Sequence, residues 1–331
     1  SVVHVVRESA SSSENCADLA IPLGCQYTCA PDNGLYEAIQ SGLNEACDSG
    51  ADVVGWLNAD EQYLPGALDA VARLFASAPS VGLVFGDYLM LNERGSVFVA
   101  RREIPARLLY LRHGVNYLLS CTVFFRSDVW KKSGGFDLSY RFLADKKFFL
   151  NVLSSGVKTA HIPRYLAAFG VTGHNESLNP DAPPEQARLR AETGAFASPI
   201  ARKLVRGCRC AEKLIRGCYG SRDLCTTVFR PDGTSQKFRG RVPTLWRWSV
   251  QFSVPPPPNR TLLPSAKRRV VFALVGLVAV CLRFITSPVR TLLARSRRDR
   301  SVFLYEPYGM GDVLALQPLV IAHLETGRRV V

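Results

Sequence analysis

The stretch from Pro31 to Glu61 constrains the fold of this chain more than any other. It reads PDNGLYEAIQSGLNEACDSG and then ADVVGWLNADE. A polar turn leads into a helix in which Ala38, Gly42 and Ala46 recur at helical spacing, and an apolar strand follows. Two adjacent carboxylates, Asp60 and Glu61, stand at the C-terminal end of that strand. Open α/β sheets bind ligands outside the carboxyl ends of their strands. Hard oxygen donors placed there suit a divalent cation held against a diphosphate. The expectation is an enzyme that takes a nucleotide-diphosphate substrate.

The rest of the first half keeps the same rhythm. Residues 2–6, 25–29, 53–57 and 81–85 read as strands, and 35–49 as a helix capped by Asp32. A further helix runs from Pro65 to about residue 78, with proline in the first turn where it is tolerated. Residues 89–99 read as a hairpin turning at Glu93-Arg94-Gly95. This order predicts an α/β domain with a largely parallel sheet. Beyond it, 121–125 and 159–162 read as strands, and 126–132 and 145–155 as helices. Residues 185–216 read as helical with one interruption near Gly207, and carry an echo, KLVRGC then KLIRGC. Two copies are too few for a repeat architecture.

The net charge of +13 is concentrated between residues 202 and 300, whereas the first hundred residues are acidic on balance. A basic C-terminal half fits an anionic lipid surface or an anionic substrate. The basic residues are not interleaved with stacking aromatics, so nucleic acid is not expected as a partner. Among the ten cysteines, Cys208, Cys210, Cys218 and Cys225 cluster without the usual zinc spacing. Free, reduced thiols in a cytosolic setting are the plainer reading.

Four consecutive prolines at 255–258 form a stiff linker. An apolar run at 270–282 follows, flanked by Lys267-Arg268-Arg269 and Arg283. It is shorter than the roughly 20 residues a spanning helix wants. An interfacial helix and a helix buried against a further domain both remain open. From Ser301 a strand, a glycine-containing loop (Gly309, Gly311) and a helix form a βα unit able to receive a phosphate. Both chain ends read as cut within strands.

Several blocks, in order, carry a family resemblance. PDNGLYEAIQSGL, WLNADEQYLPGAL and VFGDY, then TVFFRSDVWKKSGGFDLSYRFLADKKFFLNVLSSG and AAFGVTGHNES, resemble the family 2 glycosyltransferases, which have the GT-A nucleotide-sugar-binding fold. The resemblance spans about residues 2–177 and lacks the family's first strand. It implies that Asp60 and Glu61 are the metal pair holding Mg²⁺ or Mn²⁺ on the donor diphosphate, although the family more often has two aspartates there. It implies Asp145 as general base; independently of the family, the Lys146-Lys147 pair that follows is expected to depress its pKa. Glu8, Asp32, Asn58 and Asp60 would contact the donor nucleotide, Asp87 the acceptor or sugar, and His174 the metal or diphosphate. The plainer readings are helix or turn capping for Asp32, Asp60 and Asp145, and an ordinary loop histidine for His174. YGMGDVLALQPLV resembles the opening of the heptosyltransferase-like family 9 glycosyltransferases, of GT-B fold.

The fold so implied is an α/β, Rossmann-like GT-A mixed sheet flanked by helices, with a mainly helical basic C-terminal extension and a terminal βα unit. The implied domains are 1–180 (transferase), 181–258 (extension and linker), 259–300 (basic apolar helix) and 301–331 (start of a second domain). The implied activity is sugar transfer from a nucleotide-diphosphate donor to a glycan or lipid-linked acceptor, at the cytoplasmic face of the plasma membrane. A non-catalytic GT-A-like module that binds a glycan or partner is the alternative.

Overall fold

A computed structural model of the chain describes residues 2–10, 16–114, 116–171, 182–230 and 233–244. His174, the proline linker, the basic apolar segment and the terminal βα unit lie outside those residues.

The first half follows the predicted order, except that the first strand lies at 5–9 and not 2–6, a strand is added at 61–63, and the strand expected at 81–85 runs on unbroken to Leu91. Strand β1 (Val5–Ser9), helix α1 (Ala17–Ala20), β2 (Gln26–Ala30), α2 (Leu35–Asp48), β3 (Val53–Gly55), β4 (Glu61–Tyr63), α3 (Ala67–Ser77), β5 (Leu83–Leu91) and β6 (Val97–Arg101) follow in order. Then come α4 (Leu108–His113), β7 (Phe124–Arg126), α5 (Ser127–Ser133), α6 (Ala144–Ser154) and β8 (Thr159–Gly170). The extension contributes α7 (Ala182–Glu192), α8 (Pro199–Ile215) and a hairpin of β9 (Ser221–Phe229) and β10 (Ser235–Pro243).

The main sheet has six strands in the order β3-β7-β5-β8-β4, with β6 also paired to β5. It is mixed, and the expectation of a largely parallel sheet is corrected. Only β5 and β8 pair in parallel within it; β3–β7, β5–β7, β4–β8 and β5–β6 are antiparallel. The β5–β6 return is a tight turn closed by Asn92 and Ser96, with Gly95 at φ 70°. Short returns of this kind impose antiparallel pairing, whereas a parallel neighbour needs a crossover. β1 and β2 form a separate parallel pair, and Gly42 of α2 faces Val5 and Arg7 of β1. The result is a mixed α/β sheet flanked by helices, followed by an extension of two helices and a hairpin.

All nine residues of β5 are buried, and their alternation divides the core. Leu83 and Phe85 face the side of α2, α5 and α6, where Trp56, Phe125, Trp130, Phe136, Phe148 and Phe149 pack. Val84 faces α3 with Val71, Phe75 and Leu166. Trp56, just past β3, stacks near Phe149 of α6 at 6.3 Å and meets Phe136 edge-on at 5.5 Å. Buried aromatics of this size contribute about 1.5–3 kcal/mol each from area alone. The packing sets the residue after β3 against the middle of α6, the helix whose first turn carries Asp145.

The extension differs from expectation in two respects. The helical interruption falls at 193–198, not at Gly207, which lies inside α8. Gly194 takes φ 65°, and Ser198 caps α8 by accepting from the Ala201 amide at 3.3 Å, with Pro199 in the first turn. A single interior glycine weakens a helix without breaking it. The hairpin at 221–243 was not read from the sequence at all.

Candidate active site

The apolar strand ends earlier than expected, at Gly55; Asp60 and Glu61 lie five and six residues past it, with Glu61 opening β4. The backbone between β3 and β4 makes a turn in which the Glu61 amide donates to Asn58 O at 3.0 Å. Glu61 Oε2 accepts from the Asn58 amide at 2.7 Å, and Oε1 lies 3.5 Å from Ser120 Oγ. Glu61 is 9 % exposed, so its carboxylate is turned into the fold. Burial pushes its carboxyl up to about 7, against the pull of the Asn58 hydrogen bond and with Asp60 adding to the rise. Asn58 Oδ1 is buried without a hydrogen-bond partner on the same turn. β8 ends against this turn: Gly170 N donates to Asp60 O at 2.9 Å.

Asp145 lies in the first turn of α6, where a carboxylate is favoured by the helix dipole. Its Oδ1 accepts from Tyr36 OH at 3.0 Å and from the Lys146 amide at 2.6 Å; Oδ2 accepts from Asn116 Nδ2 at 3.1 Å. Its pKa is raised, because burial outweighs these hydrogen bonds and the nearby Lys146 charge. The expected depression by Lys146-Lys147 is therefore corrected. Lys146 Nζ donates instead to Gly114 O at 3.0 Å and Gln186 Oε1 at 3.1 Å, and burial, then Arg190, pushes its own pKa down to about 8. Lys147 pairs with Glu192. Glu185, at the start of α7, accepts from the amides of Arg141 (2.7 Å) and Phe142 (2.8 Å), bracing the approach to α6.

One short segment joins the two parts. Asn116 touches Asp145, and Ser120 and Cys121, four and five residues on, stand beside Glu61. Neither Asn116 nor Ser120 carries a signal in the sequence. Tyr36 lies in the PDNGLYEA block but only the fold shows what it holds.

The other expected residues stand apart. Glu8 is the last residue but one of β1, 8 % exposed, with Oε2 accepting from Tyr27 OH at 2.7 Å and the Cys16 amide at 2.9 Å. Asp32 does not cap α2: its Oδ1 accepts from the Gly34 amide at 3.0 Å in a local turn, and Gly34 is the cap residue. Glu37 supplies the reaching side chain, accepting from Asn33 N at 2.7 Å and Nδ2 at 2.8 Å. Asp87 is 1 % exposed, not facing a cleft, and accepts from the Glu103 amide at 2.9 Å and His161 Nε2 at 2.8 Å. A concavity of about 290 Å³ between α2 and α5, lined by Asn44, Asp48, Trp130 and Lys131, contains none of these residues.

Among the described residues, no group of three or more His, Cys, Asp or Glu side chains is placed to hold a metal. The oxygen donors at 58–60 have the right chemistry for a hard cation: a carboxylate at Asp60 and the unpartnered Asn58 Oδ1. Glu61 offers less, because Oε2 is engaged by the Asn58 amide.

No family model matches the chain, and no curated protein does. Among solved structures, S. aureus TarS residues 1–349 in complex with UDP is similar at 15 % identity and a TM-score of 0.44, over 63 % of this chain and 62 % of that one. The same region with UDP-GlcNAc gives 14 % and 0.45, over 63 % of each chain. A longer TarS chain gives 14 % and 0.41, over 64 % of this chain and 37 % of its own length. The chain thus spans less than two thirds of each of these solved chains.

Proposed function

We propose that the chain is a glycosyltransferase that moves a sugar from a nucleotide-diphosphate donor to a hydroxyl of a glycan or lipid-linked acceptor, with inversion. The observation that carries this reading is Asp145. It is a carboxylate of raised pKa, with both oxygens held by named donors, at the start of a helix that packs on Trp56, four residues before Asp60. In the transfer, the acceptor oxygen attacks the anomeric carbon, the bond to the diphosphate breaks, and Asp145 takes the acceptor proton. A raised pKa makes the carboxylate a stronger base for that step. Tyr36 and Asn116 fix the direction its oxygens face. Asp60 and Asn58 would hold Mg²⁺ or Mn²⁺, which when bound offsets charge on the leaving diphosphate. Glu61 shapes the turn that presents them. The setting we propose is cell-surface polysaccharide or lipopolysaccharide synthesis at the cytoplasmic membrane face.

A second reading is a non-catalytic module that binds a glycan or partner. It is favoured by Glu8 and Glu61, whose carboxylates both hold their own loops. Nucleoside diphosphate release from a panel of nucleotide sugars, with Mn²⁺ or Mg²⁺ and then with chelator, decides between them. The transferase predicts metal-dependent release that Asp60→Ala and Asp145→Asn each abolish. No release from any donor, with a folded protein, leaves the binding module.

A further inference from the structure

Apart from Val205, which joins the core, helix α8 turns its basic arc inward. Its Arg202, Arg209 and Lys213 fall on one arc at helical spacing, and Ile200, Leu204, Cys208, Ala211 and Ile215 on the opposite arc. A surface helix ordinarily turns its apolar arc inward. Here the basic arc is inward. Arg209 and Lys213 reach the fully buried Glu103 at 2.6 and 2.9 Å, and Arg209 lies 4.4 Å from the Tyr117 ring centre. Arg202 donates to Phe196 O and Ala197 O at 2.8 and 2.6 Å. The apolar arc faces outward, with Ile200 71 %, Leu204 67 % and Ile215 44 % exposed, and Cys208 and Ala211 exposed between them. The ten-residue echo shows the same rotation: Lys203 and Cys208 are exposed, while Lys213 and Cys218 are buried.

We propose that this outward face is an interfacial membrane contact that lies on an anionic bilayer. Exposed Lys203 borders the apolar arc on one side, with Arg206 beyond it, and Glu212, paired with Arg216, borders the other. An apolar strip about 22 Å long in a net basic surround is what an interface-lying helix presents to acyl chains and acidic headgroups. The chain's own apolar run at 270–282 is the rival occupant, but it is bordered by Lys267, Arg268, Arg269 and Arg283. Docking it on α8 would set cations against cations, and so would a second copy of α8. An anionic surface meets the charge of all of them. Among the described residues no helix is long and apolar enough to cross a membrane, so the contact lies along the surface. This contact is independent of the transfer reaction.

Cys208 lies on the apolar arc, and Cys29 on β2 is exposed elsewhere, so the full chain carries its own reporter and reference. The test is the alkylation rate of each thiol, read by peptide mass spectrometry. It is run without vesicles, with phosphatidylcholine vesicles, and with vesicles containing about one third phosphatidylglycerol. Anionic vesicles are expected to slow Cys208 by about tenfold and leave Cys29 unchanged. The Ile200→Ser, Leu204→Ser double variant, which alters only exposed side chains, is expected to lose that protection. Three results overturn the proposal: no sedimentation with anionic vesicles; sedimentation with Cys208 still reactive, which assigns binding to another segment; or Cys208 shielded before vesicles are added. In the last case, relief on dilution marks a second copy, and persistence marks the chain's own C-terminal run.

Discussion

Tyr36, in the first turn of α2, donates its phenol proton to Oδ1 of Asp145, in the first turn of α6, across 3.0 Å. The bond favours the ionised carboxylate and so opposes the rise that burial imposes on Asp145. Tyr36→Phe is expected to raise the Asp145 pKa further. The acidic limb of the kcat/KM profile for sugar transfer then moves to higher pH, with activity recovered on the alkaline side. A loss of equal size at every pH would count against this role.

Glu61 sets a stability prediction with a definite sign. Its folded value of about 7 lies above the roughly 4.3 of an unfolded glutamate. The folded state therefore holds the proton longer, so this contribution is full below about pH 4.3 and is lost as pH rises through 7. Its size is at most about 4 kcal/mol. Glu61→Gln keeps an oxygen for the Asn58 amide and removes the titration. Urea midpoints measured from pH 4.5 to 8 should flatten in the variant relative to the parent.

Glu103 behaves in the opposite way. Burial alone would raise its pKa, but Lys213 and then Arg209 outweigh it and hold it low. The stability it confers is present above the unfolded value and is lost as pH falls through the folded one. Glu103→Gln leaves Lys213, with a side chain 3 % exposed, without its carboxylate. The cost is expected at about 3–5 kcal/mol. Thermal melts give the magnitude, and limited proteolysis should show α8 cut first.

Gly170 tests the link between the sheet and the acidic turn. A Cβ there would stand 2.9 Å from Asp60 O and 3.2 Å from Asp60 Cβ. Gly170→Ala must push the Asp60 turn aside, at about 1–3 kcal/mol. It should weaken Mn²⁺-dependent donor binding, measured by calorimetry, more than it lowers the melting temperature. Unchanged binding would show that the turn gives way without carrying the donor site with it.

The local elements were legible because their causes are local. The helix expected at 35–49 is Leu35–Asp48, the strand at 53–57 begins at Val53, and the helix from Pro65 is Ala67–Ser77. Apolar periodicity and turn chemistry set each of them within a few residues. Strand direction was not legible, since β7 enters between β3 and β5 by pairings far apart in sequence. The β9–β10 hairpin escaped because its strands alternate among polar and basic residues, with only Val228 and Val242 fully buried. At the site, the acidic residues could be picked from their motifs. Their partners could not: Asn116 and Ser120 act through contacts that appear only once α4 and β7 are placed. The orientation of α8 was hidden for a related reason, because its inward lysine and arginine answer to Glu103, about a hundred residues earlier.

The segment from Asn116 to Cys121 holds Asp145 at one end and Glu61 at the other. It is too short to yield at one end without transmitting the displacement to the other, like a crank with two pins. Substitutions at the two carboxylates should therefore not combine as independent losses. A double-mutant cycle between Asp145 and Glu61 should return a coupling of about 0.5 kcal/mol or more, although no hydrogen bond joins the pair.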